Sequence, residues 1–305
     1  MEERPAAPSG PPAWRDLLTL TKPGITLLIV LVAVGGFALS APHPFPWLRL
    51  AILAGTGASA SAGAAMLNHY FDRDLDARMH RTRGRPLPAN RVGPDEWALG
   101  LGLLLSGAGI AAAGLLLNPL TAFSIFLGGF TYVVVYTLWL KRRSSWNIVI
   151  GGFAGSAPVL AGTAAAVGTW TPAALAVAAL VFLWTPPHFW SLALLLRNDY
   201  RSAGLPMLPD MEDPARSGRV VVVSAALLFP ATLIVVLTGV LTLPAVVVLL
   251  AAAVGFVVVT APLWTAVTPK IARRGFIYSG PYLLVVIGGL VLNAALRAGG
   301  IPGFG

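Results

Sequence analysis

The chain has 305 residues, 56% of them hydrophobic and 11% charged, with no Cys and a formal net charge of +9, and its mean hydropathy is +0.78. Such values exclude the two soluble domains that the length alone permits, and the missing cysteines exclude disulfides and thiolate chemistry. The positive balance does not mark a nucleic-acid partner, because the basic residues lie in short loops between apolar runs, a pattern that orients an integral membrane protein.

Taken in order, residues 1–13 (MEERPAAPSGPPA) are rich in Pro and poor in core formers, which predicts a disordered tail ahead of one membrane domain over residues 14–305. The tail lacks the Arg-rich amphipathic character of a mitochondrial transit peptide, and the first apolar run is too long for a signal-peptide core. At roughly 20 residues per crossing, spans are predicted near residues 17–40, 47–71, 95–117, 120–140, 147–167, 172–196, 219–240, 243–265 and 276–297. The expected fold is therefore an all-α bundle of nine transmembrane helices. Between the seventh and eighth spans only Pro244 offers a break. With nine spans and the N-terminus inside, every Lys and Arg except Arg49 and Arg297 falls on one side, which the charge rule makes cytoplasmic. The expected location is a bacterial inner (plasma) membrane with the active-site loops facing the cytoplasm. The opposite connections are short and nearly uncharged.

The stretch Asn68 to Pro88, NHYFDRDLDARMHRTRGRPLP, carries most of the reactive groups. Asn68, Asp72 and Asp76 are spaced four apart, so on a helix they form one polar stripe, each drifting about 40° from the last. Oxygen ligands on one face suit Mg²⁺, which takes one or two carboxylates and completes its shell with water and substrate phosphates. Arg78, Arg81, Arg83, Arg85 and Arg91 follow at once and suit a phosphorylated ligand. An ion-paired helix end is the plainer alternative.

Further groups lie elsewhere. Lys141, Arg142 and Arg143 close the fourth span; they are topology determinants that also stand within reach of a diphosphate on that face. Asn147 suits a cap or a polar contact. His188, in WTPPHFW, is an ionisable residue inside an apolar span and so a functional candidate. It is expected to follow a kink at Pro186 and Pro187 and to ligate a metal, move a proton or bond quietly to a neighbour. Asp199, beside Arg197 and Arg201, would share a face with His188 if the helix continues, and would complete the site if the second and sixth spans are neighbours. An ordinary ion pair explains Asp199 equally well. His69 points off the acidic face and suggests packing or capping, and His80 and His43 are expected to stay outside the site. The small-residue run over residues 55–65 suits close helix packing or room for a lipid tail. Asp210, Glu212 and Asp213 are expected to be solvated.

Physics alone favours a membrane enzyme acting on a phosphorylated lipid, with an ion-coupled transporter as rival. A transporter would more naturally place its charges at the bilayer midplane. The run Asn68, Asp72, Asp76, Arg81, Thr82, Arg85, Pro86 resembles the first aspartate-rich motif of the UbiA family of intramembrane prenyltransferases. Tyr136 to Pro158 and Trp184 to Pro209 are similar to the haem-directed branch of that family, which farnesylates protohaem IX. The resemblance implies nine helices and transfer of farnesyl from farnesyl diphosphate to a vinyl group of haem b, with water added, to give haem O. It implies that Asn68, Asp72 and Asp76 hold Mg²⁺ and diphosphate; Asp199, from its place in the polar cluster after the sixth span, is expected beside them as a further catalytic group. The resemblance makes Arg81 and Arg85 phosphate partners and brings His188 to the haem, while Lys141, Arg142 and Arg201 are expected substrate contacts from their charge and position. Where many family members carry a second pair of aspartates four apart, this chain has Asp199 and Ala203. That departure points to haem rather than an aromatic or quinone-precursor acceptor, which remains the alternative. A haem A synthase is carried as an optional partner beside the lipid bilayer. Asp72→Ala is expected to abolish turnover and leave expression intact, given a position at a polar rim.

Overall fold

The computed structural model describes residues 13–207, 213–301 and 303. The expected tail up to residue 12, together with Asp210 and Glu212, lies outside the described residues. A short helix α1 (Trp14–Leu20) precedes the bundle. Among the described residues, nine helices are long and apolar enough to cross a membrane. They are α2 (Pro23–Ser40), α3 (Trp47–Arg78), α4 (Glu96–Leu116), α5 (Pro119–Leu140), α6 (Asn147–Val167), α7 (Pro172–Leu195), α9 (Ala215–Val236), α10 (Leu243–Trp264) and α11 (Pro269–Ala298). A short helix α8 (Arg197–Ser202) lies between α7 and α9. The chain is thus an all-α polytopic membrane protein, and nine spans agree with hydropathy and charge.

Several helix starts follow from local chemistry. Pro119, Pro172 and Pro269 open α5, α7 and α11, where a missing N–H costs nothing. The preceding Asn118, Thr171 and Thr268 accept from backbone N–H groups of the first turn.

Two boundaries differ from the sequence expectation in ways that matter for the site. The first run, expected as one span over 17–40, is broken before Pro23: Lys22 adopts a left-handed φ of 48°. A residue before proline is driven out of the right-handed helical region, and Pro23 has no N–H to continue the ladder. The second span extends seven residues past its expected end, to Arg78, so the whole acidic stripe is helical.

Small residues set how closely the spans approach. A Cβ at Gly162 of α6 would collide with the Ala33 carbonyl of α2, and one at Gly36 of α2 with the Val159 carbonyl of α6. On α3, a Cβ at Gly63 would stand 2.5 Å from the Gly102 carbonyl of α4, and one at Gly109 of α4 would stand 2.6 Å from the Thr56 carbonyl. The run over 55–65 therefore packs tightly against α4, as membrane helices do through small residues. Gly57, Ser61 and Ala64 of the same run line a cavity. The same stretch thus packs against α4 and borders the cavity.

Candidate active site

Because α3 stays helical to Arg78, Asn68, Asp72 and Asp76 stack on one face, and all three are buried. Asn68 Nδ2 donates to Asp72 Oδ2 at 2.7 Å and to Thr137 Oγ1 at 2.9 Å. Its Oδ1 accepts from Lys22 Nζ at 2.5 Å. Asn68 therefore orients Asp72, and one lone pair of its oxygen is taken by Lys22. Asp76 accepts from Arg85 Nη1 through both carboxylate oxygens, at 3.0 and 2.8 Å. Lys141 Nζ lies 2.5 Å from Asp72 Oδ2. The carboxylates face Lys22, Arg85 and Lys141, with Arg81 also lining the cavity they share.

Asp72 Oδ1 is buried and has no hydrogen-bond partner. An orphaned carboxylate oxygen beside a second carboxylate is the donor set that a hard divalent cation fits. Among the described residues no trio of His, Cys, Asp or Glu forms an all-protein cage. Mg²⁺ suits such a sparse set, because it keeps waters and phosphate oxygens in its shell.

Lys22, Tyr132 and Thr137 belong to the site, and the sequence reading missed all three as site residues. Lys22 arrives through the break before Pro23, and it also donates to the Tyr132 hydroxyl at 3.0 Å. Burial, reinforced by Arg85, lowers the Lys22 ammonium from its ordinary 10.5 to about 8. The Lys-Pro dipeptide ahead of the first apolar run was the available signal. Tyr132, Thr137 and Lys141 reach the acidic face through the winding of α5. Over Thr131–Leu140 this helix is π-helical, and the Lys141 N–H bonds the Tyr136 carbonyl five residues back at 2.8 Å. An α-helix turns 100° per residue, which would place Tyr132 and Lys141, nine apart, on opposite faces. At the roughly 4.4 residues per turn that accompany i→i+5 bonding, nine residues make about two turns and the two share a face.

Other sequence candidates fall differently. His69 does not point away from the site: seven residues before Asp76, it lies two turns back on nearly the same face. Its Nδ1 stands 3.9 Å from Asp76 Oδ2, and neither ring nitrogen has a hydrogen-bond partner. Asp199 does not share a helical face with His188, because α7 stops at Leu195 and Asp199 sits in the separate α8. Its Oδ2 accepts the Arg81 backbone N–H at 3.1 Å, so it fixes the arginine loop. The next residue, Tyr200, lines the cavity; burial pushes its phenol up against the opposing charge of Arg81. Arg142 is taken by Asp74 at 2.7 and 2.8 Å and by the Phe71 carbonyl at 2.9 Å, and Arg201 is exposed. Neither lines the cavity. Asn147 donates to the Pro206 carbonyl at 2.9 Å and ties the chain beyond α8 to α6. His80 is exposed, as expected.

The acidic stripe opens into a cavity of about 1120 Å³. Its walls include Leu103 and Phe126 as well as His188, Phe189 and Phe276. The α7 helix runs through Pro186 and Pro187 without ending. His188 stacks on Trp184, with ring centroids 4.5 Å apart and 18° between planes, and Phe276 lies 5.1 Å away. Its Nδ1 is 2.6 Å from Ser279 Oγ. A rim of buried carboxylates and cationic side chains and an aromatic pocket holding His188 therefore share a single cavity.

Residues 28–294 match the UbiA prenyltransferase family. A relative named protoheme IX farnesyltransferase 1, from Cenarchaeum symbiosum (strain A), is 43% identical over 288 residues, covering 93% of this chain and 97% of that protein. One named protoheme IX farnesyltransferase, from Sulfurisphaera tokodaii, is 39% identical over 283 residues, covering 91% and 92%. A solved UbiA homolog from Archaeoglobus fulgidus, bound to GPP and Mg²⁺, shares the fold with a TM-score of 0.70 at 16% identity, over 90% of this chain and 99% of that one. The nine-helix bundle, the acidic stripe facing four cations and the match over most of its length agree: this chain is an enzyme of the UbiA prenyltransferase family.

Proposed function

We propose that this chain transfers the farnesyl group of farnesyl diphosphate to a vinyl group of haem b, adding water to give haem O and diphosphate. The carrying observation is that one cavity joins the Asp72/Asp76 rim to the aromatic pocket around His188. The likeness to protoheme IX farnesyltransferases over 93% of the chain supports the same acceptor. At about 1120 Å³ the cavity exceeds the roughly 300–1,000 Å³ of an ordinary ligand site, which suits two substrates.

Lys22, Arg81, Arg85 and Lys141 bind the diphosphate. Their charge is already in place where negative charge grows as the allylic C–O bond breaks, which is how fixed cations lower such a barrier. Mg²⁺, held by Asp72 and Asp76 with Asn68 alongside, would supply further charge to the leaving diphosphate. The farnesyl tail lies along the wall of Gly57, Ser61 and Ala64, where small side chains leave room. The haem vinyl attacks the farnesyl C1 as the C–O bond breaks, and water adds to the other vinyl carbon with loss of a proton. His188, Phe189 and Phe276 form an aromatic surface for the porphyrin, with Trp184 stacked on the imidazole, and His188 contacts the haem. Asp199 positions Arg81. Residues 14–305 act as one catalytic domain. We place its carboxylate end on the cytoplasmic face of a plasma membrane, which the gathering of Lys and Arg there supports.

Purified protein in detergent, incubated with haem b, farnesyl diphosphate and Mg²⁺, tests the reading through the mass of the extracted haem. A haem heavier by one farnesyl group and one hydroxyl, absent with EDTA, is expected. Unchanged haem together with prenylation of an added aromatic acid would overturn the acceptor.

A further inference from the structure

His188 is held by a residue on another span. Its Nδ1 lies 2.6 Å from Ser279 Oγ of α11, and Ser279 is fully buried. A serine hydroxyl has one proton, and here it is donated along the helix to the Phe276 carbonyl at 2.5 Å. The Oγ is thereby an acceptor toward the imidazole, so the proton between the two belongs to His188 Nδ1. A neutral imidazole protonated on Nδ1 carries its lone pair on Nε2. No hydrogen bond from the described residues occupies Nε2, and His188 lines the cavity.

The same serine also fixes the neighbouring ring. Trp184 Nε1 donates to the Ser279 carbonyl at 2.9 Å, and Trp184 stacks on His188. One buried residue thus sets the register of both rings through two different oxygens. The close approach of the two helices is made possible one turn away: a Cβ at Gly275 would stand only 2.9 Å from Ser191 Oγ of α7.

We propose that Ser279 is a positioning residue that locks His188 in the Nδ1–H tautomer and so presents the Nε2 lone pair as a ligand for the iron of the haem acceptor. The inference rests on the acceptor reading above. It supplies what that reading lacks, the group that decides which ring nitrogen faces the iron. Outer partners of this kind orient metal-binding histidines, and their loss typically costs 10–100-fold in metal affinity.

The test uses protein labelled with ¹⁵N-histidine, free of haem, as wild type, Ser279→Ala and Ser279→Thr, with His188→Ala to identify the signal. In the wild type the protonless nitrogen of His188 should couple to both carbon-bound ring protons, which marks it as Nε2. Ser279→Thr should keep that pattern and Ser279→Ala should lose it. In ferric haem b titrations followed by absorption and EPR spectra, Ser279→Ala should bind at least about tenfold more weakly. Ser279→Thr should bind like wild type, and His188→Ala should lose the imidazole-ligand signature. A wild-type His188 protonated on Nε2, or a Ser279→Ala variant unchanged in tautomer and haem affinity, overturns the inference while leaving the acceptor reading intact. A wild-type protein that binds no haem overturns the acceptor reading itself and the iron-ligand role with it.

Discussion

Lys141 Nζ lies 2.5 Å from Asp72 Oδ2, with the carboxylate almost wholly buried, so a lysine holds the position where a metal cation would be wanted. A charge-assisted hydrogen bond of this kind is worth about 1.5–3 kcal/mol, and Mg²⁺ alone must compete with it. Once a diphosphate draws Lys141 and Lys22 toward itself, the carboxylates are released. Titration calorimetry should therefore find weak Mg²⁺ binding to the free protein and much tighter binding with a non-hydrolysable farnesyl diphosphate analogue. Lys141→Met should raise substrate-free Mg²⁺ affinity roughly tenfold while lowering turnover. Tight Mg²⁺ binding to the free wild type would contradict this coupling.

The burial of Asp72 also changes what its substitutions report. The sequence reading placed it at a polar rim, where Asp72→Ala would leave expression intact. In the structure that change strips the partner from Lys141 and one of two acceptors from Asn68 Nδ2, and breaking a buried pair costs about 3–5 kcal/mol. Asp72→Ala should thus lose both activity and folded yield. Asp72→Asn keeps the shape and an acceptor oxygen; it should fold, yet lose at least about 100-fold in turnover, the scale for removing one electrostatic group from a reacting centre. Size-exclusion yield and a product assay on both variants separate the two effects.

Lys22 predicts opposite pH trends for two observables. Its ammonium is lowered from 10.5 to about 8 by burial and by Arg85. As pH rises through about 8 the free enzyme loses this charge, so kcat/KM for farnesyl diphosphate should fall with an apparent pKa near 8. Between pH 8 and 10.5 the unfolded chain holds the proton that the folded chain has released, so the Lys22 contribution to stability rises across that window. Lys22→Arg should remove the alkaline fall in kcat/KM, and Lys22→Met should remove the rise in stability. An unchanged pH profile in Lys22→Arg would assign the titration elsewhere.

The site was legible in the sequence wherever ordinary helical periodicity held. Asn68, Asp72 and Asp76 share a face because α3 winds regularly past the point where its apolar run ends. The nine spans were legible because hydropathy and charge agree on them. Three departures from regular winding hid the rest. Lys22 enters through a left-handed residue before Pro23, which an apolar count passes over. Tyr132 and Thr137 join Lys141 only because the end of α5 is π-helical. Asp199 separates from the face of His188 because α7 breaks at Leu196. The partnership of His188 with Ser279 spans 91 residues, and no local pattern carries it.

The contact between α2 and α6 is a close approach of helix backbones. A methyl group at Gly162 meets the Ala33 carbonyl and the Phe37 backbone, which are helix backbone and cannot swing aside. Overpacking of this kind costs about 1–3 kcal/mol or more. Gly162→Ala should lower the thermal unfolding midpoint by several degrees, whereas Gly57→Ala, with nothing within 4 Å of the added methyl, should leave it within about one degree. Equal midpoints for the two variants would contradict the packing assigned to this pair.

The most direct measurement is a single turnover in ¹⁸O-labelled water with haem b, farnesyl diphosphate and Mg²⁺, read by the mass of the extracted haem. The account predicts a haem heavier by one farnesyl group and one labelled hydroxyl, formed by the wild type and absent in Asp72→Asn. Haem of unchanged mass, with farnesyl appearing instead on an aromatic acid present in the same mixture, would contradict it.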